Sequence, residues 1–160
     1  MARSVTGARA TPDDSPWLLD TSVVLDIRDP EVLEALPSAT AVSVVTLAEL
    51  AAGPLMTDDD AERSRRQRHL QEFEALYDPL PVDPAAARAF GEVAAAVRRS
   101  GRQPRRRQFD LLVAAVARAN GLPLATRNPE DLVGLADLDE GPPVRRGPPG
   151  LSRPHLRTSR

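Results

Sequence analysis

Asp20, Glu49, Asp110 and Asn128 are the residues of this chain whose types and spacing could do chemistry together. Asp20 follows Trp17-Leu18-Leu19, and the apolar run over Trp17 to Val24 reads as a strand buried in a parallel sheet. A carboxylate at the C-terminal end of such a strand lies where open α/β sheets bind their ligands. Glu49 comes just after a second β-branched run, Ala41 to Val45, and Asn128 just after a third, Leu122 to Ala125. Asp110 opens a helix over Phe109 to Asn120 that is apolar almost all round, so it is predicted to sit in the middle of a domain. Carboxylates brought to one place repel each other unless a divalent cation neutralises them. There is no Cys, and His69 and His155 are the only histidines, so thiolate and zinc-like clusters are excluded. A metal site here would be built from oxygen donors, which suits Mg²⁺ or Mn²⁺.

Each of these positions also has an ordinary structural reading. Thr46-Leu47-Ala48-Glu49 has the form of a capping box, with Thr46 as the N-cap and Glu49 reaching back from the third helical position. Asp110 and Asp131 would be favoured by the positive end of a helix. Asn128 before Pro129 suits a turn. The joint placement at three strand ends and one buried helix is what turns these residues into a candidate site.

The elements needed to position them alternate. After the first strand, Pro30 to Leu36 reads as a short helix with Asp29 as its cap, and Thr46 to about Ala52 as another stopped by Gly53-Pro54. Asp58 to Leu76 reads as a long polar helix with Leu70, Phe73, Leu76 and Tyr77 on one face. Leu80 to Val82 reads as a short strand. Pro84 to Arg99 is predicted helical, capped by Asp83, with Ala87, Phe90, Val93, Ala94 and Val97 as its stripe. Asp131 to Leu135 is a last short helix. This alternation argues for a parallel α/β sheet.

The 160 residues suit one domain, and the 3% aromatic share means that its core must be Leu, Val and Ala. Residues 1–16 read as a flexible lead-in, 17–138 as the folded unit, and 139–160 as a disordered tail rich in Pro, Gly and Arg. The lead-in has no apolar h-region and no run approaches a membrane span, so the default compartment is the cytoplasm. The net charge of −2 gives no global field for nucleic acid, so any such contact must be local.

Leu19-Asp20-Thr21-Ser22-Val23, Thr46-Leu47-Ala48-Glu49-Leu50 and Phe109-Asp110-Leu111-Leu112-Val113 resemble, in that order and spacing, the motifs of the PIN domain. The string Asn120-Gly121-Leu122-Pro123-Leu124-Ala125-Thr126-Arg127-Asn128-Pro129 is especially similar to VapC-type toxins of bacterial toxin–antitoxin pairs. The resemblance covers about Leu18 to Leu138. It implies a three-layer α/β/α sandwich around a central parallel sheet and a Mg²⁺- or Mn²⁺-dependent ribonuclease. It also implies a VapB-type antitoxin partner, a homodimer, and contact with operator DNA only through the antitoxin. Under it, Asp20 and Asp110 would hold the ion, and Glu49 would orient or deprotonate the attacking water. Asn128 stands at a position often occupied by Asp in the family and is a neutral, weaker ligand, with Asp131 close by to complete the acidic cup. The family usually ends in an apolar strand, whereas here Asp139-Glu140-Gly141-Pro142-Pro143 follows the last helix, so that edge strand is expected to be missing.

Arg98, Arg99, Arg102, Arg105, Arg106 and Arg107 crowd the approach to Asp110. They read either as a solvated helix end or as a phosphate-binding rim, with Arg105, Arg106 and Arg107 as the RNA contacts. Arg63, Arg65, Arg66 and Arg68 read as a solvated helix face paired with Asp59, Asp60 and Glu62. A PIN-like protein that binds antitoxin or RNA without cutting is the alternative, motivated by Asn128 and the tail. A haloacid-dehalogenase-like hydrolase ranks low: it needs an acid where Ser22 stands and a downstream Lys, and the chain has no Lys.

Overall fold

The computed structural model describes residues 15–101 and 108–128, and the backbone of a strand at Val144–Arg146. Strand β1 is Trp17–Leu19 and is shorter than the apolar run suggests. The carbonyl of Asp20 accepts the N–H groups of Val23 and Val24 at 3.0 and 3.1 Å, so Thr21–Val24 turns into a helix, α1. Val23 and Val24 keep the buried place their side chains demand, but from a helical turn rather than a strand.

Helix α2, Pro30–Ala35, begins as expected, with the Asp29 carboxylate accepting the Glu31 N–H and proline in the first turn. Strand β2 is only Thr40–Ala41, because helix α3, Val44–Ala52, starts two residues before Thr46. Its cap is Ser43, whose Oγ accepts the Thr46 N–H at 3.3 Å. The capping-box reading of Thr46 and Glu49 is therefore corrected. A serine two residues past β2 offered an earlier N-cap, and tertiary burial of Val45 outweighed the β preference of the valines. A 3₁₀ turn, Gly53–Met56, closes α3.

Helix α4, Asp60–Leu76, is capped by Asp59, which accepts from Ala61 and Glu62. Leu70 and Phe73 are buried and Tyr77 packs on Phe73 at 5.3 Å between ring centroids, whereas Leu76 faces solvent. Leu80 makes only an isolated parallel bridge to Ser43, not a strand. Helix α5, Pro84–Arg99, is capped by Asp83 and buries Ala86, Ala89, Val93, Ala96 and Val97, a face rotated from the expected stripe. Helix α6, Gln108–Ala119, ends in a Schellman motif: Gly121, at φ 63°, donates to the Arg118 carbonyl, and Leu122 to that of Ala117.

Strand β3 is Leu124–Thr126 and β4 is Val144–Arg146. The four strands are all parallel and ordered β2-β1-β3-β4, with Leu18 opposite Ala41 and Leu124, and Leu124 opposite Val144. The expectation of a missing edge strand, and of no strand in the tail, is thus corrected at Val144–Arg146. Those residues are a proline-free window between Pro143 and Pro148, and an edge strand needs ladder donors on one side only. The expected helix at Asp131 to Leu135, the rest of the tail and the lead-in before Ser15 lie outside the described residues.

Alternation along β1 sends Leu18 and Leu19 to opposite faces. Leu18 packs with α5 and α6 residues such as Val93, Leu111 and Val116. Leu19 packs with Val24, Val32, Leu50, Leu70 and Phe73 from α1 to α4. The result is the expected three-layer α/β/α arrangement. Among the described residues no helix is long and apolar enough to cross a membrane.

Candidate active site

The strand order places a topological switch point between β1 and β3: the chain leaves β1 to one side to form β2, and β3 and β4 lie on the other. Ligands of open α/β sheets bind outside the carboxyl ends of the strands at such a point. Asp20 follows β1 and Thr126 ends β3, and the two meet there.

Asp20 is 5% exposed. Its Oδ2 accepts from Ser22 Oγ at 2.8 Å and from Thr126 Oγ1 at 2.9 Å. The direction of both bonds is set by their other partners. Ser22 Oγ accepts the Arg127 N–H at 3.1 Å, and Thr126 Oγ1 accepts the Asn128 N–H at 3.1 Å. A backbone N–H can only donate, so each hydroxyl proton is left for the carboxylate. Two neutral donors thus take the place of water around a buried anion. Both fall on Oδ2, which leaves Oδ1 for another ligand.

Glu49 reaches the same place from α3. Its Oε2 accepts from the hydroxyl of Thr21, the first residue of α1. Partial burial raises its pKa above the ordinary 4.5, opposed by the Thr21 bond and reinforced by the negative charges of Asp20 and Asp110. That coupling puts Asp20 and Asp110 each within electrostatic reach of Glu49. Asp110 is half-buried in the first turn of α6.

Asn128 is exposed, and it is its backbone N–H that joins the network, through Thr126. Asp131 and Arg105, Arg106 and Arg107 lie outside the described residues. Arg63 pairs with Asp60, and Arg65 and Arg66 with Glu62, as the sequence suggests for that helix face. Sequence reasoning misses Thr21 and Thr126 as site residues. The signal that could find them is a hydroxyl within two residues of a buried strand's C-terminal end. Arg127 adds a latch across the site, pairing with Asp26 beyond α1.

The sequence matches the PIN domain model over residues 17–137. The chain belongs to the PIN-domain family. Over 120 residues this PIN domain is 37% identical to ribonuclease VapC5 of Mycobacterium tuberculosis, an alignment covering 74% of the chain and 86% of the relative. It is 35% identical over 100 residues to ribonuclease VapC8 of the same organism, covering 62% of the chain and 88% of that protein. It also superposes on the crystal structure of VapBC-5 from M. tuberculosis, a member of the VapBC family of toxin–antitoxin systems. There the TM-score is 0.65 and the identity 33%, with 82% of this chain and 97% of that one covered.

Among the described residues no three His, Cys, Asp or Glu side chains are gathered as a ready-made metal cage. The donor chemistry nevertheless fits a hard divalent cation of the Mg²⁺ kind, which commonly takes one or two carboxylates and keeps several waters. Asp20, with Oδ1 open, and Asp110 are the residues suited to hold one, and a cation there would offset the repulsion felt at Glu49.

Proposed function

We propose that this PIN domain is a metal-dependent endoribonuclease, the toxin of a toxin–antitoxin pair, that hydrolyses RNA phosphodiester bonds. The observation that carries the reading is the site itself: Asp20 clamped by two hydroxyls at the switch point, with Glu49 and Asp110 in electrostatic reach. The ribonuclease names of VapC5 and VapC8 supply the substrate class. The pairing of VapBC-5 supports a VapB-type antitoxin as partner. The homodimer, and DNA contact only through the antitoxin, belong to the same reading.

Bound Mg²⁺ or Mn²⁺ would lower the pKa of a coordinated water and stabilise charge on the phosphate. Asp20 and Asp110 would hold the ion. Ser22 and Thr126 hold the Asp20 carboxylate by Oδ2 and fix its direction. Thr21 holds Glu49 by Oε2, which leaves Oε1 to accept a proton from the attacking water. The raised pKa makes that carboxylate a better base than an exposed glutamate. The Ser22 hydroxyl is committed to Asp20, so it is not placed to act as a covalent nucleophile.

Purified protein is expected to cut structured RNA with Mg²⁺ or Mn²⁺ and to stop on addition of EDTA. Asp20→Asn should lower cleavage on the order of 10³-fold, the upper range for losing one charge-stabilising group. Equal cleavage by the variant and the wild type, both free of contaminating nuclease, would sink the assignment. A second reading, a PIN domain that binds without cutting, is favoured by Asn128, exposed and neutral where family members often carry an acid. RNA binding in EDTA with no cleavage after either metal is restored would select it.

A further inference from the structure

Glu49 and Thr21 also line a cavity of about 600 Å³ between α1, α3 and α4. That volume lies within the range of pockets that hold small organic ligands. Leu25 and Leu50 give it apolar surface, and Arg28, Arg65, Glu62 and His69 stand around it. It is therefore continuous with the acidic site, but here arginines stand among the carboxylates.

The two arginines have donors to spare. Arg28 gives one nitrogen to Glu72 and Arg65 gives one to Glu62, and their side chains are 63% and 68% exposed. A guanidinium carries five N–H donors, so each retains a free edge. Arg66, on the same wall, is different: its Nε binds Glu62 at 2.6 Å and its NH1 binds the Gly53 carbonyl at 2.8 Å, which fixes the cavity's shape. Burial and the charge of Arg28 lower the pKa of His69, opposed by Glu72 and the Val24 backbone. With its N–H engaged by the Val24 backbone, a neutral imidazole still has its other nitrogen as an acceptor for a base amino or imino group.

We propose that this cavity is the subsite for one nucleotide of the RNA strand beside the cleaved bond. Arg28 and Arg65 take its phosphate, Leu25 and Leu50 lie against its base, and His69 meets the base edge. The proposal rests on the ribonuclease reading. A strand whose phosphate lies at Glu49 must leave the site in some direction. On this side it passes from clustered acids, which repel phosphate, to arginines that match it bidentately. An acidic peptide would satisfy the arginines, but it has no use for a base-sized apolar surface joined to a catalytic carboxylate.

The test is binding of a fluorescein-labelled hexaribonucleotide, followed by anisotropy in EDTA, where nothing is cut. The Arg28→Ala/Arg65→Ala double variant should bind about tenfold more weakly, as expected when a charge-assisted hydrogen bond is removed. Its slope of log K against log salt should be shallower by about 0.7 for each phosphate that the arginines no longer neutralise. Both ion pairs are exposed and contribute little to folding, so the variant should melt with the wild type. With Mg²⁺ restored, the variant's KM should rise while kcat holds. His69→Ala should flatten the ranking of affinities among the four homohexamers.

Equal affinity and equal salt slope in wild type and double variant overturn the subsite even if the protein cuts RNA. The expected losses of binding in a protein that never cuts overturn the ribonuclease reading and leave the cavity as an RNA-binding site with no cleaved bond beside it. If the wild type ignores the hexamer but binds a Glu-rich peptide, and the double variant does not, the cavity belongs to a protein segment and the proposal fails.

Discussion

Asp20 and Glu49 are carboxylates of one crevice held in opposite ways. Asp20 is almost fully buried and receives two hydroxyl protons on a single oxygen, from the first turn of α1 and the last residue of β3. Glu49 is half-exposed on a helix, receives one hydroxyl proton, and feels the charge of both other acids. Two hydroxyl donors replace the water that burial removes from Asp20. At Glu49 burial and the charges of Asp20 and Asp110 outweigh the single Thr21 bond, and its proton affinity rises. The difference separates two tasks: a rigid anion suits holding a cation, and a carboxylate with raised proton affinity suits moving a proton.

The comparison is broken most severely by removing the charge at Glu49. Glu49→Gln keeps the shape and can still accept from Thr21, so its melting temperature should stay close to wild type. Cleavage should drop by roughly 10²–10⁴-fold, the usual worth of general-base assistance. Wild-type rates in this variant would leave the chemistry to Asp20 and Asp110. A smaller effect is expected from Thr126→Val, which preserves volume but removes the donor to Asp20 and the acceptor for the Asn128 N–H. Removing one partner of a buried charge should cost about 1–3 kcal/mol of stability. It should also slow cleavage, because Oδ1 loses its fixed direction. Chemical denaturation of the two proteins measures the first effect, and an unchanged midpoint would show that Ser22 alone suffices.

Much of this site is legible in the residues. Asp20, Glu49 and Asp110 stand out because an acid after a buried strand, or at the head of an apolar helix, conflicts with its surroundings unless it has a partner. Their supporting hydroxyls are harder to see, since Thr126 and Thr21 break no local rule, and their value lies in hydrogen bonds made across 106 and 28 positions of chain. The same limit explains the misplaced start of α3. Thr46 and Glu49 satisfy a local capping pattern, but the fold uses Ser43, which also sits at the bridge to Leu80. The Pro- and Gly-rich composition after Asp139 argues against any strand, yet Val144–Arg146 needs only the exposed edge of β3 to pair. In sequence, Arg65 and Arg66 read as a helix face with paired acids. They are paired, and they also wall a cavity that only the packing of α4 against α3 creates.

The corrected cap gives a sharper control on Glu49. Ser43→Ala should destabilise the protein by about 1 kcal/mol, the typical cost of a lost N-cap. Cleavage of RNA at a temperature well below melting should be little changed. A Thr46–Glu49 capping box would instead place that cost at Glu49→Ala. Thermal melts of the two variants side by side decide which residue caps α3.

The smallest expected effect concerns protons. The folded pKa of Glu49 is raised above 4.5, so between that raised value and 4.5 the folded state binds more protons than the unfolded state. Linkage then makes the slope of stability against pH negative for this group, so its contribution becomes more favourable as pH falls through that window. Asp and Glu residues elsewhere can tilt the whole curve, so the informative quantity is the difference between wild type and Glu49→Gln. Measured in EDTA, that difference should shift in favour of the wild type on acidification toward 4.5 and level off below it. Parallel stability curves for the two proteins across the window would mean that Glu49 is solvated like an ordinary surface glutamate. Its distinction from Asp20 would then lie in geometry alone. A bound divalent cation should reverse the trend, because it favours the ionised carboxylate; repeating the series with Mg²⁺ therefore reports whether Glu49 feels the ion that Asp20 and Asp110 are suited to hold.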